Sequence, residues 1–479
     1  MQYVPAVPGP RRVCIVGAGP VGSLAAIYFA QRGWWVDLYE ARPDMRRPAT
    51  TTTATANPAQ SQRSINLALS VRGLSALHQT GLGLDAEIMD LAIPMRGRMI
   101  HDLAGQQTSQ VYSVFGYCIN SVDRAGLNIK LLDSVEAFGN VRIHFNHALQ
   151  TCDLDRREAT FMNKSTGEHL TVQADLIVGA DGSYSTCRRQ LMRRTRMDYT
   201  QEYITHGYRE LTIPPLENED GSTDFRMNRN HLHIWPRHTF MMIALPNLDQ
   251  SFTCTLFMPY EKFEEITTEA ELVAFFETFF PDALPLMGRD RLCVDFFTNP
   301  RGSLMSVKCH PYHYEDKMVI IGDAAHSMVP FYGQGMNCGF EDVEVLFSIL
   351  DQHDVVAKTT GDGDCDRDGD LAQALAEYTE VRHRDAVAIC DLAMVNYIEM
   401  RSLVTSRRYL LRKTIEGYLH RWFPRWVVPL YTMVSFSRTP YHRAILQHDR
   451  QTRWLGYGWL AVTVMAVTGL ACVMRRCKM

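Results

Sequence analysis

Residues 13 to 42, VCIVGAGPVGSLAAIYFAQRGWWVDLYEAR, contain the pattern that decides the fold. The apolar run VCIV predicts a strand, and Gly17, Gly19 and Gly22 follow it as G-x-G-x-x-G before apolar residues at helical spacing. A second predicted strand, VDLY, ends at Glu40. In this context the glycines let a pyrophosphate approach the helix N-terminus, and the acid binds a ribose hydroxyl. The stretch therefore predicts an α/β domain that binds a dinucleotide; the alternative is a tight turn without a ligand.

A second glycine-rich turn lies late in the chain, at residues 322 to 337, GDAAHSMVPFYGQGMN. It follows an apolar run, Met318 to Ile321, and precedes GFEDVEVLFSIL, whose apolar residues have helical spacing. Glycines at this density indicate that another group lies close against the backbone. Between the two turns, DLIVGADGSYSTCRR places Asp181 and Gly182 directly after a predicted strand.

These three motifs, in this order, resemble those of the single-component flavin monooxygenases, the class A aromatic hydroxylases. That resemblance implies a tightly but non-covalently bound FAD and an α/β fold like that of para-hydroxybenzoate hydroxylase. It also implies that Asp323 binds sugar hydroxyls of FAD and that Asp181 borders the pyrophosphate. The other cofactor-binding residues implied are Arg124 in SVDRAGLN and, at the flavin, Gly335, Met336 and Asn337.

The helix that begins near Met336 would direct its N-terminal N–H groups at the flavin, whose reduced form carries negative charge. His326 belongs to the motif turn, and we expect it to support the flavin loop. We assign no general acid or base, because the oxygen chemistry belongs to the cofactor.

The composition is that of a globular protein with more than one domain. The chain has 479 residues, 46% of them hydrophobic and 21% charged, with a net charge of −4. Acidic and basic residues are mixed, so nucleic acid is not supported as a partner. The 12 cysteines include no C-x-x-C pair, which argues against a zinc site or disulfide framework and favours a reducing compartment. We predict no metal ion.

The pattern along the chain divides it into several predicted parts. The Thr/Ala-rich stretch 48–62 is predicted to be a surface loop, and the acidic, glycine-rich stretch 360–370 a solvated linker. The predicted division is a FAD-binding domain in two parts, 1–200 and 291–360, with a substrate-site segment at about 60–115; an antiparallel substrate-domain sheet, 201–290; a helical C-terminal region, 371–450; and a tail anchor, 455–474.

The tail-anchor prediction rests on twenty residues without a charge, LGYGWLAVTVMAVTGLACVM, at 455–474. A helix of this length can cross a hydrocarbon core of about 30 Å. Arg453 and Trp454 precede it, and Arg475, Arg476 and Lys478 follow it, as interfacial anchors do. The alternative is a buried core helix, whose removal would unfold the protein. Under our interpretation, deletion after residue 452 releases a soluble, active enzyme.

The stretch PMRGRMIH, residues 94–101, places Arg96 and Arg98 in an otherwise apolar run. Since residues i and i+2 of a strand point to the same side, we expect both arginines on one face. Arginine is well suited to hold a carboxylate with two parallel hydrogen bonds. A surface salt bridge is the alternative.

Long stretches over nearly the whole chain resemble the kynurenine 3-monooxygenase family. They include RSINLALS (63–70), IPMRGRMIH (93–101), NYIEMR (396–401) and PLYTMVSFSR (429–438). The resemblance implies hydroxylation of L-kynurenine to 3-hydroxykynurenine with NADPH and O2, through a flavin C4a-hydroperoxide. It implies the mitochondrial outer membrane, with the catalytic domain facing the cytosol, although tails of the endoplasmic reticulum are similar.

The same resemblance implies a set of substrate-binding residues. Arg98 would bind the amino-acid carboxylate, and Phe331 and Gln334 would contact the aromatic ring and its ketone side. The residues implied at the carboxylate or amino-acid end are Tyr112, Asn396 and Tyr431.

Two other functions remain open at this stage. One is a flavin hydroxylase or epoxidase for another substrate, which kynurenine would not stimulate. The other is a non-catalytic flavin-fold scaffold at the membrane, which would be colourless when purified. The oligomeric state is not predicted.

Overall fold

The structure is a computed structural model that describes residues 10–47, 66–357 and 366–457. The strands are β1 (Arg12–Val16), β2 (Trp35–Tyr39), β3 (Leu67–Leu69), β4 (Ile93–Met95), β5 (Gly97–His101), β6 (Gln107–Val111), β7 (Ile119–Val122), β8 (Val141–His144), β9 (His147–Asp153), β10 (Glu158–Asn163), β11 (His169–Gln173), β12 (Leu176–Gly179), β13 (Asp198–Ile213), β14 (Leu216–Glu217), β15 (Thr223–Asp224), β16 (His231–Arg237), β17 (Phe240–Pro246), β18 (Phe252–Pro259), β19 (Gly302–His310), β20 (His313–Tyr314) and β21 (Met318–Ile320).

The helices are α1 (Pro20–Gln31), α2 (Val71–His78), α3 (Leu84–Asp90), α4 (Arg124–Glu136), α5 (Thr186–Leu191), α6 (Tyr260–Glu264), α7 (Glu269–Phe279), α8 (Leu284–Met287), α9 (Arg289–Thr298), α10 (Gly335–Gln352), α11 (Asp366–Arg401), α12 (Arg407–Trp422) and α13 (Leu430–Ser435). Three short 3-10 helices lie at Gly322–Ala324, Pro330–Tyr332 and Leu403–Thr405. Residues 441–457 are also helical.

A six-stranded sheet carries the three sequence motifs. Its order is β20-β21-β12-β1-β2-β8, and all neighbours are parallel except β20 and β21. The apolar run of β1 is buried on both faces, as expected for a strand between two helical layers. Val16 of β1 pairs with Gly179 of β12, which pairs with Ile320 of β21. The turns after these three strands therefore meet at one edge of the sheet.

A second sheet has seven strands in the order β19-β13-β18-β17-β16-β5-β6. Most of these strands come from residues 198–310. It is antiparallel except for the parallel pair β5–β16. One face packs against α7 and α9, with Phe276 and Phe296 in a shared core. The other packs against α11, with Ile389 near Ile234 and Phe257. The sheet takes β5 and β6 from early in the chain, which brings Arg98 close to the C-terminal helices.

The acidic stretch 360–370 is helical where the structure describes it, because α11 begins at Asp366. The prediction of a linker up to residue 370 is therefore wrong. Just beyond it, Leu371, Leu375 and Tyr378 are buried in the core of the six-stranded sheet, and this packing stabilises the first turn of α11 despite its polar sequence. The predicted loop at 48–62 lies outside the described residues.

Among the described residues, no helix is both long enough and apolar enough to span a bilayer. Residues 458–474, most of the predicted tail anchor, lie outside the described part of the chain.

Candidate active site

The three motif turns are numbered here in chain order as the first turn (Gly17–Gly22), the second turn (Asp181–Ser185) and the third turn (residues 322–337), and they contact each other at the edge of the six-stranded sheet. Gly17 has a φ of +103°, and a Cβ built on it would lie 2.4 Å from the carbonyl oxygen of Ala180. A Cβ on Gly22 would lie 1.9 Å from the carbonyl oxygen of Gly17. These two glycines are therefore required by contacts within the protein itself.

Glu40, at the end of β2, is buried behind the first glycine turn. Its carboxylate accepts a hydrogen bond from the backbone N–H of Ala18 at 2.9 Å and pairs with Arg42 Nε at 2.8 Å. Burial alone would raise the pKa of Glu40, but the hydrogen bonds from Arg42 and Ala18 hold it below its ordinary value. A charged carboxylate therefore lies next to the turn, where the motif places a ribose.

Asp323 lies on the third turn with its side chain accessible to solvent. Ser183 donates a hydrogen bond from Oγ to Asp323 Oδ2 at 3.3 Å, which links the second turn to the third. The surrounding protein raises the pKa of Asp323, and the charges of His326 and Arg124 oppose this shift. The Asp323 side chain is thus open to solvent and yet largely surrounded by protein, as expected for a group on the wall of a cleft. Arg124 itself is exposed at the start of α4.

Asp181 uses its carboxylate to hold its own turn. It accepts hydrogen bonds from Ser185 Oγ at 2.5 Å and from the backbone N–H groups of Thr186 and Cys187 at 2.7 and 3.0 Å. The buried Arg188 donates to the carbonyl oxygens of Ser183 and Ala324. Asp181 therefore shapes the second turn from within, and Arg188 ties that turn to the third.

The loop before α10 is fixed by Asn337. The Oδ1 atom of Asn337 accepts a hydrogen bond from the backbone N–H of Ser70, and Nδ2 donates to the carbonyl oxygens of Ala68 and Gly333. Its amide is thus committed to holding β3 and α2 against the loop. The predicted neighbours Gly335 and Met336 form the first turn of α10 and are partly exposed.

Several features of these turns suit a dinucleotide with a flavin ring. A Cβ on Gly19 would meet no protein atom within 4 Å. Neither α1 nor α10 has a side-chain cap, so their first N–H groups remain available to a ligand's anionic groups. Asn128, whose Nδ2 donates to the carbonyl oxygen of Ala18 in the first turn, has a buried Oδ1 without a partner within the protein. The residues present therefore fit FAD.

A buried ionic network lies beneath the third turn. Asp342 accepts hydrogen bonds from the backbone N–H of Gly322 at 2.8 Å, from His326 Nε2 at 2.6 Å and from Arg382 Nε at 2.9 Å. Burial alone would lower the pKa of His326, but Asp342 and Cys338 hold it well above its ordinary value. His326, Cys338 and Asp342 are close enough to hold a metal ion, yet Arg382 already supplies a cation to Asp342. His326 supports the turn, as the sequence analysis expects.

A second site surrounds Arg98 on β5, whose side chain is buried. Its Nη1 donates to Glu399 Oε1 at 2.6 Å and its Nη2 to Asn396 Oδ1 at 3.3 Å, whereas Nε has no protein partner. Burial would lower the pKa of Arg98, but the Glu399 carboxylate and nearby tyrosines keep it well above its ordinary value. The guanidinium lies 4.9 Å from the ring centroid of Tyr431.

Aromatic rings form the walls around Arg98. Tyr431 stacks on Tyr112 at a centroid distance of 5.1 Å and on Tyr332 at 5.5 Å. The hydroxyl of Tyr112 is buried without a protein partner. Asn396 Nδ2 donates to the carbonyl oxygen of Phe331 at 2.7 Å, which connects this site to the loop before α10. The structure thus brings Arg98, Tyr112, Asn396 and Tyr431 together.

Phe331 and Gln334 lie on the side of the site toward the third turn. Phe331 stacks on Tyr397 at 3.9 Å and meets the edge of Phe257. Gln334 is buried, and its Oε1 accepts a hydrogen bond from Tyr441 at 3.2 Å. Both residues belong to the third turn, and the hydrogen bond from Asn396 to Phe331 connects this part of the turn to the Arg98 site.

Glu399 and Lys413 complete the charge pattern around Arg98 and are not among the site residues predicted from the sequence. Glu399 accepts a hydrogen bond from Tyr409 at 2.7 Å, and Lys413 lies near both charges. Burial and the positive charge of Arg98 lower the pKa of Lys413 to about 8. Glu399 follows Asn396 by three residues, so both lie on one face of a helix. This spacing could have identified Glu399, whereas nothing in the sequence brings α12 to β5.

The expectation that Arg96 and Arg98 share a strand face is wrong. Met95 ends β4 and Gly97 begins β5, and the two strands belong to different sheets. Arg96 lies at the break and is exposed, whereas Arg98 is buried.

Comparison with known proteins identifies the family to which this geometry belongs. The chain is 46% identical over 469 residues to a kynurenine 3-monooxygenase of Drosophila willistoni. The aligned residues make up 97% of this chain and 96% of that relative. The chain belongs to the kynurenine 3-monooxygenase family. The family member of Sus scrofa is 45% identical, and the alignment covers 92% of this chain and 87% of that protein. The family member of Yarrowia lipolytica is 46% identical, and the alignment covers 93% of both chains.

Residues 11–355 match the model of the FAD binding domain family, so the FAD prediction for this kynurenine 3-monooxygenase family member is confirmed. Its fold is shared with solved structures of low sequence identity. The tetrameric 2-methyl-3-hydroxypyridine-5-carboxylic acid oxygenase has a TM-score of 0.62 at 20% identity over 82% of this chain and 93% of its own. PqsL, a probable FAD-dependent monooxygenase of Pseudomonas aeruginosa, has a TM-score of 0.58 at 19% identity over 82% and 97%. The predicted α/β fold of the aromatic hydroxylases is thereby confirmed.

Proposed function

We propose that this protein hydroxylates L-kynurenine to 3-hydroxykynurenine, with FAD as bound cofactor and NADPH and O2 as co-substrates. Membership of the kynurenine 3-monooxygenase family supports the reaction. The observation that carries the proposal is the buried Arg98, whose Nε has no protein partner in a pocket lined by tyrosines. A buried guanidinium with an unused donor favours a substrate that brings a carboxylate.

The charges around Arg98 are those that an α-amino acid requires. The carboxylate of kynurenine binds Arg98 and the hydroxyl of Tyr112, which is buried beside Arg98 and Tyr431. Its ammonium group lies toward Glu399. Burial alone would raise the pKa of Glu399, but the charge of Arg98 holds it below its ordinary value, so the carboxylate is charged. Asn396 holds Arg98 in place, and Tyr431 covers the guanidinium with its ring.

The aromatic end of the substrate points toward Phe331 and Gln334. Gln334 Nε2, a buried donor without a protein partner, is available to the ketone oxygen. The stacked rings of Phe331 and Tyr397 exclude water and fix the ring plane. The amino group of the substrate ring donates electrons to the neighbouring carbon and activates it, so the main task of these residues is orientation.

The residues that hold FAD belong to the three turns. Gly19 leaves room for the pyrophosphate at α1, Glu40 and Asp323 bind sugar hydroxyls, and Arg124 lies nearby. The N-terminus of α10, Gly335 to Asn337, faces the flavin through backbone N–H groups. Bound FAD supplies the hydride acceptance and the oxygen activation that no side chain provides.

Anaerobic reduction of the purified flavoprotein by NADPH tests the reaction. Kynurenine should accelerate the loss of oxidised-flavin absorbance, and subsequent addition of O2 should give 3-hydroxykynurenine in chromatography. Phenols and isoprenoids should do neither. A coloured protein whose reduction by NADPH is indifferent to kynurenine would favour a hydroxylase with another substrate, and a colourless protein would favour a scaffold.

We further propose a single tail anchor at 455–474 in the mitochondrial outer membrane, with the catalytic part in the cytosol. The uncharged stretch and its basic flanks support it. Its targeting is tested by the location of the chain's C-terminal residues fused to a fluorescent protein. We also propose a division into a FAD-binding domain, a substrate-domain sheet and a C-terminal helical region, with the helical region beginning at Asp366, where α11 begins.

A further inference from the structure

The C-terminal helices present an unusual concentration of exposed aromatic side chains. Among the described tryptophans, Trp34 and Trp235 are buried and Trp35 is half-buried. The other three described tryptophans, Trp422, Trp426 and Trp454, are 76%, 80% and 76% exposed. We define the aromatic face by these three residues together with Leu411, Tyr418, Phe423 and Tyr457, all of which are more than half exposed.

The side chains of this face lie on neighbouring elements. Leu411, Ile415, Tyr418 and Trp422 follow one another at intervals of four, three and four residues along α12, which places them on one side of the helix. Phe423 to Val427 then turn tightly, with the N–H of Trp426 bonded to the carbonyl oxygen of Phe423.

The helix at 441–457 packs alongside α12 and completes the face. Arg412 Nη2 donates to Thr452 Oγ1 at 2.8 Å. A cavity of about 310 Å³ between the two helices is lined by Leu411, Ile415 and Leu455 among others. The side-chain amide of Gln451 meets the backbone of residues 426–428. Trp454 and Tyr457 therefore lie at the end of a helix that contacts both α12 and the turn.

The charge of this region is strongly positive, although the whole chain has a net charge of −4. Between residues 403 and 457 there are ten arginines and lysines, against Glu416 and Asp449 as the only acids. Arg421 and Arg425 are exposed on either side of Trp422. Tryptophan and tyrosine are enriched where a protein meets the headgroup layer, and arginine there binds anionic lipid.

We propose that the aromatic face docks on the surface of a bilayer that contains anionic phospholipid. Its charge complements such a surface, and the uncharged segment 455–474 begins where the face ends. A monomeric soluble protein rarely exposes so many contiguous large apolar side chains. The inference goes beyond the tail anchor, because an anchor alone would hold the chain at the membrane and leave these tryptophans in water.

The test uses the full chain reconstituted into nanodiscs of phosphatidylcholine, with or without phosphatidylserine, and lipids brominated near the headgroup as fluorescence quenchers. With phosphatidylserine present, the bromines should quench a tryptophan component that the Trp422→Phe/Trp426→Phe variant lacks. The Trp35→Phe variant, altered in the six-stranded sheet, should keep that component. Trp459 of the tail is present in every sample, so quenching of Trp459 itself does not contribute to this difference.

Charge provides the second arm. Arg421→Glu/Arg425→Glu should lower the ratio of docked to undocked protein by about fivefold or more per arginine, since each basic residue near an anionic surface contributes about 1 kcal/mol. High salt should produce the same loss in the wild-type protein. The matched variant Arg193→Glu/Arg196→Glu changes two exposed arginines that follow α5. Its tryptophan fluorescence should be quenched by the bromines as in the wild-type protein. Flavin absorbance should be unchanged in both.

Three outcomes overturn the proposal. Quenching that is independent of phosphatidylserine and of Arg421 and Arg425 would mean that the tail alone positions the tryptophans. Absence of bromine quenching, with Trp422 and Trp426 open to aqueous iodide, would mean that the face stays in water. Absence of both would mean that protein covers the face, and two chains per disc by mass measurement would then identify a second copy as the occupant.

Discussion

Arg98 is a buried charge with an unused hydrogen-bond donor. Removing a guanidinium from water is costly, and the cost is offset only when partners surround it. Glu399 and Asn396 supply partners on one side, and the rings of Tyr431 and Tyr112 lie over the group. The Nε–H donor of this group has no protein partner. Under the proposed function, the carboxylate of the substrate accepts a hydrogen bond from this donor.

Replacement of Arg98 by alanine should raise the KM for kynurenine and lower kcat/KM roughly 10- to 150-fold, because hydrogen bonds to a charged group contribute about 1.5–3 kcal/mol. FAD should remain bound, since Arg98 contacts none of the three motif turns. Arg98→Lys should restore only part of the activity, because lysine keeps the charge but lacks the planar fork of donors that reaches Glu399, Asn396 and the substrate together. Steady-state kinetics and the flavin spectrum measure both effects.

Arg96→Ala is the matched control for this experiment. Arg96 lies two residues away but is exposed, so its removal should leave kcat/KM unchanged. Normal hydroxylation of kynurenine by Arg98→Ala would show that the carboxylate binds elsewhere.

Lys413 should give substrate binding a dependence on pH. Its pKa of about 8 means that it is charged below this pH and neutral above it. The positive charge near Arg98 attracts the substrate carboxylate, so kcat/KM for kynurenine should fall as the pH rises through about 8. In Lys413→Met this step in the pH profile of kcat/KM should disappear. In Lys413→Arg, kcat/KM should stay high above pH 8, because arginine keeps its charge there. A profile with the same step in all three proteins would assign it to another group.

Each glycine of the first turn has a different physical task. Gly17 and Gly22 are needed because the chain contacts itself, whereas a Cβ on Gly19 meets no protein atom within 4 Å. The backbone of Gly19 is extended, with a φ of −72°, which alanine adopts without strain. The open space beside Gly19 is therefore available to the pyrophosphate of a bound cofactor.

Gly19→Ala should therefore fold with near-normal stability but bind FAD about tenfold more weakly or worse, a loss of about 1.4 kcal/mol. Gly22→Ala should destabilise the protein itself, because its Cβ would overlap the carbonyl oxygen of Gly17. Thermal unfolding of the apoprotein and titration with FAD separate the two effects. Equal loss of stability in both variants would contradict this division of roles.

The loop before α10 shows why helices and turns cannot be considered one at a time. Asn337 belongs to a motif that implies cofactor contact, but its amide is used to attach β3 and α2 to the loop. In this structure Asn337 therefore acts through its neighbours. Under the proposed function, backbone N–H groups at the start of the helix make the contact with the flavin.

Removal of residues 458–479 tests the architecture of the entire chain. The helix at 441–457 packs on α12 and contributes Tyr441 to the core around Phe331, so it has to be kept. The truncated protein should be recovered without detergent, should retain FAD and should hydroxylate kynurenine at close to the full-length rate. Aggregation or loss of flavin would instead assign the segment to the core. A truncation before Tyr441 should lose stability, which serves as the comparison.

The seven-stranded sheet connects distant parts of the chain. It takes β5 and β6 from residues 97–111, and α11 covers one of its faces. As a result, Arg98 and Asn396, which are far apart in sequence, come within hydrogen-bonding distance at 3.3 Å. Sequence resemblance named both residues, but their contact follows only from this arrangement.

By itself, the sequence determined the local chemistry: a strand, a glycine turn and a helix at residues 13–42, two further motif turns, and a set of residues that resemblance assigns to a substrate. These features follow from short spacings, because a glycine's φ or a helix N-terminus depends on only a few neighbours. Only the tertiary structure decided that Arg96 is exposed while Arg98 is buried, that Glu399 and Lys413 join the site, and that Asp181 and Asn337 hold turns with their side chains. Each of these depends on which distant element removes water from a polar group, and burial is a property of the packed molecule.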